Sequence, residues 1–351
     1  MDIPLALSYD DVLLIPQYSE IDSRSDVDLS TSISPKVSLK IPLISSKMDT
    51  ITGVTMAIKM SQLGGLGILP RFELPASQAD KVAKVKAHTH HVAAALGCKN
   101  GFMERAEMLV NAGADIINVD VAHGHMKKNI DAISSLRQKF NDNITIIAGI
   151  TSTYQCAVDL YKAGADCLLV GVGAGSTCTT RIQTGFGVPS ITSLLETARA
   201  AKEFKKTFGP DAGIRNSGDI VKALATGASA ICGGYIFAGT DEAPGDTVML
   251  NGKKYKRYNG SASSAEKNKH VQLDPSDKNT AYTKHVEGIS GLVSYRGPVE
   301  QVIDSLLAGV RSGLGYAGAK SIPQLWENAK FIRITPGGLH ESNHHDVILS
   351  S

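Results

Sequence analysis

The sequence predicts an α/β protein arranged as a (β/α)8 barrel, and three observations predict it. Short apolar runs alternate with amphipathic stretches that end in glycine, the pattern of βα units around a parallel sheet. One phrase recurs before three of the runs: NAGADIINVD, KAGADCLLVG and TGASAICGG each end a helix with glycine and enter a buried strand, which favours a ring of like units. A chain of 351 residues that is 42% hydrophobic can bury one large core, so residues 1–351 are expected to form a single domain. A doubly wound open sheet is the alternative.

In chain order, the expected strands are Pro42 to Ser46, Gly65 to Leu69, Val92 to Leu96, Ile116 to Val121, Thr145 to Gly149, Cys167 to Gly171 and Ala230 to Gly234. An eighth must lie after the helix around Leu194 to Lys206, where only KTFGPDAG offers itself, with a proline inside it. From Asn251 to Lys284 the chain turns polar with little periodicity, too long for an ordinary barrel loop, and reads as a mobile flap. Helical EQVIDSLLAGVRSGLGYAG and strand-like KFIRI follow, then a polar tail over residues 336–351. In a barrel, ligands sit at the C-terminal ends of the strands. That rule selects Ser46, Met48, Asp120, the loop GVGAGSTCTT, Asp211 and the pair Gly233 and Gly234.

Composition narrows the partners. The 36 basic and 34 acidic residues leave a formal charge of +2, far from the basicity of a nucleic-acid groove, so small molecules or further copies of the chain are expected. No run approaches about 18 apolar residues, and the start MDIPLALSYDD lacks the features of a secretory signal. A cytoplasmic chain without membrane contact is therefore expected. The five cysteines form no CxxC pair, and four lie in or beside apolar or periodic segments, where an inert thiol is the ordinary reading. Cys178 differs: its neighbours are glycine, serine and threonine.

In GVGAGSTCTTR the glycines let backbone N–H groups approach an anion, while Ser176, Thr177, Thr179 and Thr180 add hydroxyls without bulk. A thiol among such donors suits nucleophilic catalysis. A glycine-serine surface loop with an incidental cysteine is the competing reading, and spacing alone does not choose between them.

The loop resembles the active-site loop shared by IMP dehydrogenases and GMP reductases, GxGPGSxCTTR. The resemblance extends along the chain through SYDDVLLIPQYSEI, PLISSKMDTIT, GGLGIL, VDVAHGH, GIRNSGDIVKALATGASA, FAGTDEAPG, VEGISGLVSYRGP and FIRITPGGLHESNHHDV. It implies a barrel in which Cys178 attacks C2 of the purine and Thr180 assists proton transfer. Ser176, Gly213, Gly233, Gly234 and Tyr258 would hold the 5′-phosphate, Asp211 the ribose hydroxyls, and Ser46 and Met48 would border the nucleotide. Glu287 would meet the purine N1 edge. Asp120, Ala122, His123, Gly171 and Gly173 would take the nicotinamide cofactor, and no Rossmann glycine motif competes for it. The resemblance also implies a potassium ion held by the carbonyls of Gly173, Gly175 and Cys178, completed by Glu341, Ser342 and Asn343 of a neighbouring copy in a homotetramer. Without the family, Asp120 and Asp211 would equally serve as helix caps, and HESNHHDV would read as a tail. ILPRFELPASQADKVAKVKAHTHHVAAALG leaves no room for the regulatory CBS pair that many dehydrogenases insert after the second strand.

The tail and VEGISGLVSYRGP resemble the dehydrogenase, which converts IMP to XMP with NAD in guanine nucleotide synthesis. The alternatives are a GMP reductase using NADPH and a purine-nucleotide-binding paralogue with impaired turnover. Departures fall in the flap. No arginine stands between Ser261 and Lys284 where dehydrogenases carry a water-activating Arg-Tyr pair, and Lys269 and His270 are the nearest candidates. SSAEK is similar to a serine-rich, acidic phrase of the reductases, with Glu266 in the place of their acid. Elsewhere, Ile150 stands for an asparagine, Ala174 for the loop proline and Ala212 for the first glycine of DGG; Lys47 is also unusual.

Overall fold

The computed structural model describes residues 3–273 and 283–347. Eight parallel strands form its centre: β1 (Leu43–Ser45), β2 (Leu66–Leu69), β3 (Ala93–Leu96), β4 (Ile116–Asp120), β5 (Thr145–Thr151), β6 (Cys167–Val170), β7 (Thr207–Pro210) and β8 (Ile231–Gly233). β8 returns to β1 through Ile231 opposite Leu43, Cys232 opposite Ile44 and Gly233 opposite Ser45. The seam between β7 and β8 is held by a bridge from Asp211 to Cys232 and by the Ser229 N–H, which donates to the Phe208 carbonyl at 2.8 Å. The ring therefore closes, which removes the open-sheet alternative.

Helices α1 (Val54–Gln62), α2 (Pro75–Lys86), α3 (Phe102–Asn111), α4 (Lys127–Phe140) and α5 (Tyr154–Lys162) follow the first five strands. A single turn and a half, α6 (Thr180–Thr184), and then α7 (Ser190–Phe204) follow β6; α8 (Ser217–Ala225) follows β7. The flap helix α9 (Ser264–Leu273) and the long α10 (Val299–Tyr316) come after β8. The recurrent phrase has a backbone cause: Gly113, Gly164 and Gly227 end their helices at φ 107°, 110° and 104°, the left-handed conformation that lets the chain turn into the next strand. Among the described residues no helix is long and apolar enough to cross a membrane.

Strand alternation divides the core in two. Ala93 and Ala95 face into the barrel with Ile44, Ile68, Ile116, Ile147 and Leu169, while Ala94, Leu96, Ile117, Ile146 and Leu168 face the helices. The N-terminal end of the barrel is stoppered by a hairpin, Thr31–Ser34 with Val37–Leu39, whose Ile33, Val37 and Leu39 join the inner cluster. The doubtful segment KTFGPDAG does form β7, with Pro210 its last residue, so the missing N–H falls at the strand end. Gly209 is required there: a Cβ would lie 1.9 Å from the Ala230 carbonyl oxygen. Phe331–Arg333 pairs antiparallel with Val12–Leu14 and joins the two ends of the chain.

The flap is more regular than its polarity suggests. β9 (Thr247–Leu250), β10 (Lys253–Asn259) and β11 (Ser290–Ser294) form an antiparallel sheet, and α9 lies between the last two. On β10 the inward position is filled by Lys256, only 5% exposed, whose ammonium donates to the Thr240 carbonyl at 2.9 Å. A buried lysine at an inward position hides the strand period. Residues 274–282, part of the expected flap, lie outside the described residues.

Candidate active site

At the C-terminal ends of the strands the loops enclose a cavity of about 380 Å³. The GVGAGSTCTT loop runs along one wall from β6 to α6, and the segment Glu287 to Ile289, which leads into β11, is stitched to it. The Thr179 N–H donates to the Glu287 carbonyl at 2.9 Å, and the Ile289 N–H donates to the Thr177 carbonyl at 2.9 Å. This pairing aligns side chains far apart in sequence. The Cys178 thiol lies 3.2 Å from Thr180 Oγ1, to which it donates, and the Thr180 hydroxyl donates to Glu287 Oε2 at 2.6 Å. Thiol, hydroxyl and carboxylate thus form one path along which a proton can leave the sulfur.

The other cysteines are set apart by burial. Burial pushes the Cys156 thiol up to about 11 and the Cys167 thiol up to about 12, and it raises Cys232 as well. All four are buried, whereas Cys178 is half-buried on the cavity wall.

Across the cavity stands a charged group that the strand-end rule only partly anticipates. Lys47, 5% exposed, extends from the loop after β1 to Asp211 Oδ2 at 2.5 Å and to Asp120 Oδ1 at 3.6 Å. Arg71, after β2, places Nε 3.3 Å from Asp120 Oδ2. Burial alone would depress the Lys47 ammonium, but the Asp211 and Asp120 carboxylates outweigh it and hold the group above its ordinary value. Asp211 Oδ1 is buried and accepts no hydrogen bond from an N–H or O–H group among the described residues, with the Cys232 thiol beside the carboxylate.

The remaining wall is backbone-rich. Gly213, Gly233, Gly234 and Ser176 line it, with Tyr258 from β10. A Cβ on Gly234 would stand 2.9 Å from the Tyr258 hydroxyl, so the glycine makes room for the phenol. Burial pushes that phenol up to about 12, which keeps it a donor. Ala212 adopts φ 143°, a conformation that favours glycine. The alanine that departs from the family's DGG therefore carries backbone strain.

Of the residues selected from sequence, Cys178, Thr180, Ser46, Met48, Ser176, Asp211, Gly213, Gly233, Gly234, Tyr258, Glu287, Asp120, Ala122, Gly171, Gly173 and Gly175 line this one cavity. His123 is exposed and does not line it, nor do Lys269 and His270. Lys269 is half-exposed beside Glu266, and His270 is buried behind Phe72, its ring stacked on the phenyl at 3.9 Å. Glu341, Ser342 and Asn343 are exposed at the C-terminal end of a short helix, away from the cavity lining of the same chain. Lining residues that sequence reasoning did not place include Arg71, Phe72, Tyr235, Lys267 and His285. The first two directly follow Pro70 after β2, so the strand-end rule applied to GLGIL would have reached them.

The closed barrel, with a half-buried thiol hydrogen-bonded to Thr180 at its strand mouth, has the form of a (β/α)8-barrel enzyme. Comparison then identifies the family. Residues 6–345 match the family model described as IMP dehydrogenase / GMP reductase domain. The inosine-5′-monophosphate dehydrogenase of Cryptosporidium parvum is 38% identical over 99% of this chain and 96% of its own length. That of Nitrosopumilus maritimus is 33% identical over 99% of this chain and 100% of its own, in an alignment of 478 residues against the 351 here. A crystal structure of GMP reductase from Trypanosoma brucei, in complex with guanosine 5′-monophosphate, superposes with a TM-score of 0.93, 28% identity and 99% coverage of both chains. The chain belongs to the IMP dehydrogenase / GMP reductase family of oxidoreductases.

Proposed function

We propose that the protein is an IMP dehydrogenase that acts through a covalent adduct between Cys178 and C2 of the purine. The relay from Cys178 through Thr180 to Glu287 carries this reading, because it supplies a nucleophile with a route for its proton. The Sγ–C2 bond forms, hydride departs from C2, and water then displaces the thiol to give XMP. Asp211 Oδ1 receives a ribose hydroxyl, and the glycine wall with Ser176 and Tyr258 receives the 5′-phosphate. NAD would lie where Asp120, Ala122, Gly171 and Gly173 line the cavity, with Arg71 holding the Asp120 carboxylate in place. When bound, NAD supplies the hydride acceptor.

Potassium enters through assembly. Within one chain the Gly175 carbonyl accepts the Cys178 N–H at 3.0 Å, which leaves its second lone pair for a cation. Gly173, Gly175 and Cys178 would need Glu341, Ser342 and Asn343 of a second copy, in the homotetramer that the resemblance implies.

Two observations support the dehydrogenase in particular: relatives named as such are 33% and 38% identical over nearly the whole chain, and FIRITPGGLHESNHHDV resembles the dehydrogenase tail. A GMP reductase is the second reading, favoured by the fit to the trypanosomal enzyme and by the lack of an arginine between Ser261 and Lys284. Near-ultraviolet absorbance of the reduced nicotinamide separates them. Growth of the signal with IMP and NAD supports the dehydrogenase, decay with GMP and NADPH supports the reductase, and silence with measurable IMP binding supports a binding paralogue.

A further inference from the structure

A buried imidazole and two carboxylates meet where the flap crosses the loop after β1. Glu266 and His270 lie one turn apart on α9, and Asp49 approaches from the barrel. His270 Nε2 stands 3.3 Å from Asp49 Oδ2 and 3.9 Å from Glu266 Oε2, and the three donor atoms lie within 4.8 Å of one another. Two features point these atoms at a common centre. Stacking on Phe72, with the rings 2° from parallel, fixes the imidazole plane. Asn259 Nδ2 holds Glu266 Oε1 at 2.7 Å, which turns Oε2 into the cluster. That oxygen belongs to a residue only 4% exposed and has no hydrogen-bond partner among the described residues; Lys269 Nζ, half-exposed, comes no closer than 3.8 Å. A buried carboxylate oxygen without a donor is costly, and a cation would satisfy it.

We propose that Asp49, Glu266 and His270 form a binding site for a divalent transition ion of the zinc class. One imidazole and two carboxylates are a nitrogen–oxygen donor set suited to zinc, cobalt or manganese. Metal bonds of about 2.0–2.2 Å put neighbouring donors of a tetrahedral site roughly 3.3–3.5 Å apart. The imidazole–Asp49 pair already has this separation, and the imidazole–Glu266 pair needs about half an ångström of closure. Two carboxylates also balance the charge of a divalent ion. None of the three ligands lines the cavity, so the site is separate from the cysteine relay and does not rest on the proposed activity. Phe72, stacked on His270, does line it. Ion binding therefore fastens α9 to the barrel beside the cavity mouth.

The test is titration of the full-length protein with cobalt(II), followed by its visible ligand-field bands, and competition by zinc(II). Cys178 and the histidines of the C-terminal segment are the rival ligands, so Cys178→Ala and the His344→Ala/His345→Ala pair are titrated alongside. We expect one equivalent bound without the intense sulfur-to-metal charge-transfer band. Glu266→Gln and His270→Gln should each weaken binding by about 10- to 100-fold or more, with the rival-site variants unchanged. Asp49→Asn, on the barrel side, should give the same loss and guards against a flap variant that fails to fold. The proposal is overturned if no stoichiometric ion binds. It is equally overturned if binding survives Asp49→Asn and Glu266→Gln but disappears with Cys178 or the tail histidines.

Discussion

Replacing Lys47 by methionine should destabilise the barrel by about 3–5 kcal/mol, the usual cost of removing one partner from a buried ion pair. The structure supplies the reason. At 2.5 Å from Asp211 and 3.6 Å from Asp120, the ammonium gains about 7 and about 5 kcal/mol of Coulomb attraction at an effective dielectric near 20. Most of that offsets desolvation of three buried charges. Truncation keeps the carboxylate desolvation and discards the attraction, but it also removes the ammonium's own desolvation, so the net loss is well below the summed attraction. The deficit should depend on pH. Burial already works to raise the Asp211 carboxyl, and Lys47 opposes it. Burial already holds the folded pKa above the unfolded one and loss of the lysine raises it further, so the folded variant binds more protons and the deficit shrinks as pH falls through that raised pKa. Urea denaturation at several pH values measures this, provided the slope with denaturant stays constant. The double variant Lys47→Met/Asp211→Asn should recover much of the loss. A Lys47→Met midpoint equal to wild type, or strict additivity in the double variant, would refute the reasoning.

Other expectations follow from single contacts. Thr180→Val removes the hydroxyl between Cys178 and Glu287, so kcat should fall about 10²–10⁴-fold with little change in IMP affinity; equal turnover in the variant would break the relay. Ala212→Gly relieves a left-handed alanine and should stabilise the fold by up to about 1 kcal/mol in thermal or urea unfolding, since strain of this kind costs about 1–3 kcal/mol and glycine returns part of the gain as entropy. A loss of stability in Ala212→Gly would mean the strain is absent. Hydrogen bonding to Arg215 holds the Asp10 carboxyl below its usual value, so this pair contributes stability above the ordinary carboxylate range and loses it as pH falls through the lowered pKa. In Asp10→Asn that part of the acid dependence should vanish, with an effect of no more than about 1 kcal/mol because the pair is half-exposed.

Much of this architecture was legible because the barrel imposes simple demands. A strand buried on both faces must be apolar throughout, so IINVD and CLLV declare themselves, and the glycines after each helix mark the turns. The candidate site was legible for a related reason: residues just past a strand end must face the mouth, as Asp120 and the Cys178 loop do. Two kinds of feature escaped. β10 carries its inward positions on Lys256 and Tyr258, and a lysine satisfied by backbone carbonyls leaves no apolar period to read. Lys47 stood out as unusual in sequence, but its meaning depends on Asp120 and Asp211, 73 and 164 positions later, meeting at one point of the ring. Likewise the partnership of Thr180 with Glu287 is made by a backbone pairing between a barrel loop and the segment entering β11, which no local pattern encodes.

The most direct test of the central proposal is the intact mass of the protein after acid quench from IMP and NAD, with peptide mapping of any adduct. The expected result is a covalent purine nucleotide on the peptide that contains Cys178, absent in Cys178→Ala. Turnover with the protein unmodified at every quench time, or an adduct on a different residue, would contradict it.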